Sequence, residues 1–177
     1  MATSPLPVDP IAEARRQWVA HGWDDAADGM SAVTSVMRAH QLLLAEVDRA
    51  LKPLGLSFAR YEMLRLLAFT REGRMPMASA TARLQVHPAT VTSAVDRLER
   101  DGLLRRTPHP RDGRATMLAL TDVGRDLTER ATDALNQSVF SKVGLDVDDM
   151  KMLVHVIAKL RLEAGDFIKH RPLPDPL

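Results

Sequence analysis

Cysteine is absent from all 177 residues. That excludes disulfides, thiol redox sensing, cysteine nucleophiles and thiolate metal sites together. No apolar run approaches the roughly 20 residues a membrane span requires. The segment MATSPLPVDP lacks the charged-then-apolar order of a secretory signal, so a cytoplasmic protein with no membrane partner is expected. Gly-rich phosphate loops, Gly-x-Ser-x-Gly elbows and zinc-hydrolase motifs are missing, and with them any support for an enzyme. The histidines His21, His40, His87, His109, His155 and His170 include no pair four residues apart, so neither a metal site nor another cofactor is expected. Excess charge is missing too, the formal total being +1.

The near-neutral total hides an uneven distribution. Residues 1–30 hold Asp9, Glu13, Asp24, Asp25 and Asp28 against Arg15 and Arg16. Residues 103–116 hold Arg105, Arg106, Arg111 and Arg114 against Asp112 alone. A local cluster of this kind marks either a solvated loop or a surface that meets polyanions. The hydrophobic share of 45% is ample for a core, and the length fits one domain or a domain with a helical arm.

Periodicity orders the chain. Asp9 and Pro10 have the residue types that cap and open a short helix carrying Ile11, Ala14, Arg15 and Trp18. Gly22 ends it, and DDAADG is expected to be non-helical. From Ser31 to about Lys52, Val33, Val36, Met37, Leu43, Leu44, Val47 and Leu51 recur at three- and four-residue steps, predicting a long amphipathic helix stopped near Pro53 and Gly55. A second helix follows Ser57, with Phe58, Tyr61, Met63, Leu64 and Leu67, and REGRMP is expected to be a loop. Two short helices come next, the first from Met77 to Leu84, the second opening at Pro88 and stopping at Gly102, with QVH as the turn between them. Beyond Gly102 the period becomes two, predicting strands over 103–107 and 115–120 with Asp112-Gly113 as their turn and a tip loosened by Pro108 and Pro110. Thr121 caps a helix to about Phe140, and a last helix spans about 146–169.

Helix, turn, helix and hairpin in this order describe a winged helix-turn-helix, a mainly α fold with a small β wing. Its second helix can enter a major groove. Val91, Val95 and Leu98 form that helix's inward stripe, which leaves Thr90, Thr92, Ser93 and Arg97 for base edges and phosphates. A projecting wing arginine can reach a narrow minor groove, where the negative potential is strongest. Arg114 is the candidate, with Asp112 two residues before it to hold it, and Arg105, Arg106 and Arg111 are candidates for the phosphate backbone.

The run TVTSAVDRLERDGLLRRTPHPRDGRATMLALTDVGRDL resembles the recognition helix and wing of the multiple-antibiotic-resistance regulator (MarR) family. The matching residues are Val91-Thr92, Asp96-Arg97-Leu98-Glu99, Gly102-Leu103, Arg106, Asp112, Arg114, Leu120-Thr121 and Gly124. The resemblance implies that Arg114 enters the minor groove while Asp112 orients the wing. Gly113 stands where the family's wing usually has a charged residue, and His87 where a small hydroxyl residue is common before the recognition helix. A homodimer with interleaved first and last helices is also implied, and with it a palindromic operator on double-stranded DNA. The apolar residues of the two long helices, spread over more than one face, support a homodimer independently. The expected organisation is an arm with a short helix at 1–30, a dimerisation helix at 31–56, a DNA-binding lobe at 57–121, and C-terminal dimerisation helices with a tail at 122–177.

The family's regulators commonly respond to small anionic or aromatic molecules. The arm with Trp18 resembles the extra helix of a urate-responsive branch. That branch places Asp where this chain has Glu62, and Arg where it has Ala94. An apolar or acidic effector near Trp18, His40 and Glu62, or no effector, stays open. Two other classes compete with a DNA-binding repressor. A winged-helix protein–protein module would have a neutral wing, and a small-molecule binding protein would need convergent titratable residues.

Overall fold

A computed structural model describes residues 6–84, 88–109 and 112–168, with the backbone alone at 88 and 112–114. The chain divides into two compact units, 1–47 and 48–177. Both the QVH segment and the tail beyond 168 lie outside the described residues.

In the first unit, α1 (Pro10–Ala20) starts as its sequence predicts, Pro10 leading and the Asp9 carboxylate accepting from the Ile11 N–H at 2.9 Å. Helix α2 (Asp24–Leu51) begins a full seven residues before Ser31, so DDAADG is helical after all. Asp24 and Asp25 lie in the first turn, where carboxylates favour the positive end of the helix dipole. Ala26 and Ala27 are strong helix formers, and Ala27 is fully buried. Asp28 bonds Arg15 of α1 at 2.7 Å. An exposed pair of this kind contributes under about 1 kcal/mol, so the buried alanine matters more. Along α2, Val33, Val36, Met37, Leu42, Leu43 and Leu44 are 39–60% exposed.

In the second unit, a 3₁₀ turn (Lys52–Leu54) leads to α3 (Phe58–Phe69), which buries Tyr61, Met63, Leu64 and Leu67. Ser57 occupies the N-cap position, but its side chain makes no cap bond. The expected loop REGRMP contains strand β1 (Arg74–Pro76), paired antiparallel with β3. Three residues ending in proline show no alternation, so this edge strand exists only because β3 offers it a ladder. Helices α4 (Met77–Leu84) and α5 (Pro88–Arg100) follow, and Gly102, at φ +70°, makes the left-handed turn that ends α5.

Strands β2 (Leu104–His109) and β3 (Asp112–Leu120) complete an antiparallel sheet of order β1-β3-β2. Asp112 and Gly113 belong to β3, so they are not the turn expected of them; His109 pairs directly with Asp112. The next pair is Pro108 with Thr116, so residues 113–115 bulge against nothing on β2. Pro108, lacking an N–H, sits where a register shift costs the ladder least.

Helix α6 (Asp122–Leu135) ends in a π-helical turn (Asn136–Phe140), and α7 (Val147–Glu163) closes the described chain, six residues short of the expected end. The core is built from Leu51, Met63, Leu64, Leu67, Val91, Val95, Leu98, Leu104, Leu118 and Leu135, all but fully buried. Each contributes roughly 1.5–3 kcal/mol over its exposed state. Among the described residues, no helix is long and apolar enough to cross a membrane.

Candidate nucleic-acid interface

Helix α5 presents the residues its periodicity promised. Val91, Val95 and Leu98 are fully buried and Ala94 nearly so, which turns Thr90, Thr92, Ser93, Arg97 and Arg100 out to solvent. Steps of three and four between Thr90, Ser93 and Arg97 align them on one line of the helix. The small residues of α4, with Ala80 fully buried, form a thin element behind it. His87 and Arg111 lie outside the described residues. Asp112 and Arg114 lie on β3 beyond the last regular pair of the ladder.

Arg106 is tied back to α5. Its backbone N–H donates to Glu99 Oε1 at 3.0 Å, its Nη1 donates to Glu99 Oε2, and its Nη2 donates to Asp96 Oδ1 at 2.5 Å. Asp96 and Glu99, three residues apart, share the face of α5 that meets β2. The Arg106 N–H and guanidinium hold the Glu99 carboxyl below the usual glutamate range. Burial works against the Arg106 charge, but bonds to Asp96 and Glu99 outweigh it and raise its pKa. These bonds fasten β2 to α5. Arg105 remains exposed on β2.

The wing's other end is clamped to α6. Thr121 Oγ1 donates to Gly102 O at 2.8 Å and accepts the Gly124 N–H at 3.0 Å, while the Thr121 N–H reaches Leu103 O at 3.2 Å. Gly124 is there for space. A Cβ on it would fall 1.9 Å from Leu103 O.

Arg60, to which sequence reasoning gave no task, belongs to the same surface. Its Nη2 donates to Gly55 O at 2.5 Å, and Nη1 lies 3.4 Å from Asp101 Oδ2. Its pKa is lowered by burial and then by the nearby charge of Arg97, against the pull of Asp101. No periodicity marks such a residue, because its ionic partner Asp101 lies 41 residues away.

The residues considered for an effector are distributed over both units. In the first, Trp18 is half-buried and meets Trp23 edge-to-face at 5.3 Å, and His40 is exposed on α2. In the second, Glu62 is half-buried on α3, and burial raises its pKa.

Comparison with known proteins places this geometry. The chain is 44% identical to Sco5413, a MarR family transcriptional regulator from Streptomyces coelicolor, covering 80% of this chain and 99% of that one with a TM-score of 0.71. The chain belongs to the MarR family. The family model itself matches residues 56–116, the segment that holds α3, the helix-turn-helix and most of the wing. This MarR protein also resembles Sco3205 of the same organism, solved in complex with DNA, at 28% identity over 76% of this chain and 86% of that one, TM-score 0.67. The transcriptional repressor IacR of Pseudomonas putida is 30% identical over 100 residues, 56% of this chain. The match spans about three fifths of the length of the curated relatives, 59%, 65% and 62% for the first three. Its relatives are transcriptional regulators rather than enzymes, and the winged helix-turn-helix expected from the sequence is the fold they share.

Proposed function

We propose that this MarR-family protein is a cytoplasmic, homodimeric repressor that binds a palindromic operator on double-stranded DNA. The observation that carries this is the outward line Thr90, Ser93 and Arg97 on α5, locked beside a basic wing by the Arg106 clasp. Helix α5 enters the major groove, where Thr90, Thr92, Ser93 and Arg97 meet base edges and phosphates, with His87 at its entry. The wing takes the adjacent minor groove, and Arg111, Asp112 and Arg114 are the residues the family resemblance implies for it. Arg106 serves by positioning the wing. Repression is supported by the relative named above as a repressor, and DNA binding by the relative solved on DNA.

A second copy of the chain supplies cover for the long helices. Val147, Met152, Val154 and Leu160 of α7 are 58–69% exposed, as are Val33 and Met37 of α2 at 59% and 60%. Apolar area of that extent marks an interface. In functional terms 57–121 is the DNA-binding lobe, 31–56 and 122–177 form the dimer, and 1–30 is an arm. An apolar or acidic small-molecule effector is what the family resemblance implies, with Trp18, His40 and Glu62 as the residues considered for it, and regulation without an effector is the alternative.

Selection of bound sequences from random duplexes tests the whole reading. A twofold-symmetric consensus with half-sites about 10 bp apart is expected. Recovery of no consensus, with duplex binding insensitive to salt, would instead favour a protein-interaction module.

A further inference from the structure

The two flanks of α5 differ in charge. On the flank toward β2, Asp96 and Glu99 are taken up by Arg106. On the flank toward α3 there is a cleft of about 390 Å³, lined by Ser57, Ala59 and Arg60 from the first turn of α3 and by Thr90, Ser93 and Arg97 of α5. No carboxylate lines it. Its two guanidiniums repel each other, since each positive charge disfavours the other. The Asp101 carboxylate, which does not line the cleft, pairs with Arg60 at 3.4 Å and is 44% exposed. Among the described residues, Arg97 has no acidic partner.

Two cations and two hydroxyls converging on one opening, with a single carboxylate paired to one of the cations and none lining the cleft, form a receptor for an oxyanion. We propose that this cleft seats a backbone phosphate of the bound DNA, with Arg60 and Arg97 as its cations and Thr90 and Ser93 as its hydroxyl donors. The proposal rests on the DNA-binding function above and adds Arg60 to it. Arg60 suits the task because it is ordered before binding. Its side chain is 14% exposed and already held by Gly55 O, by Asp101 and, at 3.4 Å, by Ser57 Oγ. Little rotamer freedom is left to lose on contact. A helix in the major groove is flanked by phosphates, and contacts to them set its register without reading sequence. A phosphate on the α3 flank therefore fixes the roll of α5 about its own axis.

The test compares wild type, Arg60→Gln and Asp101→Asn on the selected duplex and on a mixed-sequence duplex of about 30 bp, three helical turns, across a salt series. Arg60→Gln is expected to weaken both complexes alike, about tenfold at low salt, and to reduce the slope of log K against log salt by about 0.9. Asp101→Asn removes a competitor for Arg60, so it is expected to tighten both complexes. Were Arg60 only a strut between α3 and Asp101, Asp101→Asn would weaken binding as Arg60→Gln does, and the proposal falls. An equal slope for wild type and Arg60→Gln, with steep salt dependence in both, overturns the seat but leaves the DNA function standing. Wild-type protein that binds no duplex overturns both. Inorganic phosphate at constant ionic strength separates the sources. A DNA seat predicts no more displacement than by chloride, whereas selective displacement that Arg60→Gln abolishes would reassign the cleft to a free anion.

Discussion

Helices α5 and α7 are both amphipathic, yet only one is complete within a single chain. Val91, Val95 and Leu98 of α5 are fully buried under α3 and β2 of their own lobe. No residue of α7 is buried, and Val147, Met152, Leu153, Val154, Val156 and Leu160 are 46–69% exposed. Helix α7 is well started, Asp146 accepting from the N–H groups of Asp148 and Asp149 at 2.9 and 2.8 Å. A cap contributes only about 1 kcal/mol, however, and a helix of this length is marginal without tertiary packing. The lobe therefore carries its own packing, whereas α7 leaves its apolar side chains uncovered within one chain, and in the proposed dimer another copy covers them.

Substitutions can break that contrast, beginning with α7. Val154 is 69% exposed in the single chain, so Val154→Asp leaves the lobe folded while placing an unpaired charge in each half of the proposed dimer. A loss of roughly 3 kcal/mol or more is expected, on the order of a hundredfold in association. Sedimentation equilibrium measures it, and an intact dimer would remove α7 from the interface. Gly124→Ala acts where α6 meets the lobe, within a single chain. Its Cβ cannot coexist with Leu103 O, and about 3 kcal/mol of unfolding free energy is expected to disappear in urea titration. Loss of association without loss of lobe stability would reverse the comparison. Arg114→Ala is milder, with operator binding weakened about tenfold and the dimer unchanged by sedimentation. Unaltered affinity would deny the wing its minor-groove role.

The smallest effect concerns pH. The folded pKa of Glu99 lies below its unfolded value, so the Arg106 clasp contributes fully above the ordinary glutamate range. That contribution is lost as pH falls through the lower, folded pKa. Thermal melts of Glu99→Gln against wild type are expected to differ at neutral pH and to converge in acid. A gap that persists at low pH would show that the carboxylate charge is not what holds the wing.

Local rules made much of the lobe legible. The steps from Val91 to Val95 to Leu98, the Thr121 cap and the stop at Gly102 depend on neighbours within one or two turns. Strand β1 was not legible, because its three residues take their conformation from β3. The early start of α2 was missed for a different reason. DDAADG reads as polar punctuation until its first two acids are placed at a helix N-terminus, where they stabilise. Asp96, Glu99 and Arg106 stood out in the family pattern, but the pattern gave no cause. The cause is a clasp that exists only once the hairpin folds back on α5. Arg60 gave no signal at all, since its partners Gly55 and Asp101 share no periodicity with it.

The contact of Gly124 with Leu103 O has a mechanical meaning. A joint with no room for a methyl group has no slack, and Thr121 fastens both sides of it with hydrogen bonds. A rotation of α6 would meet the backbone of Leu103 there and would press on the root of β2. The Arg106 clasp would hand the same displacement on to α5. In the proposed DNA-binding role, a small turn of α6 would therefore change the angle at which the wing and α5 face a duplex.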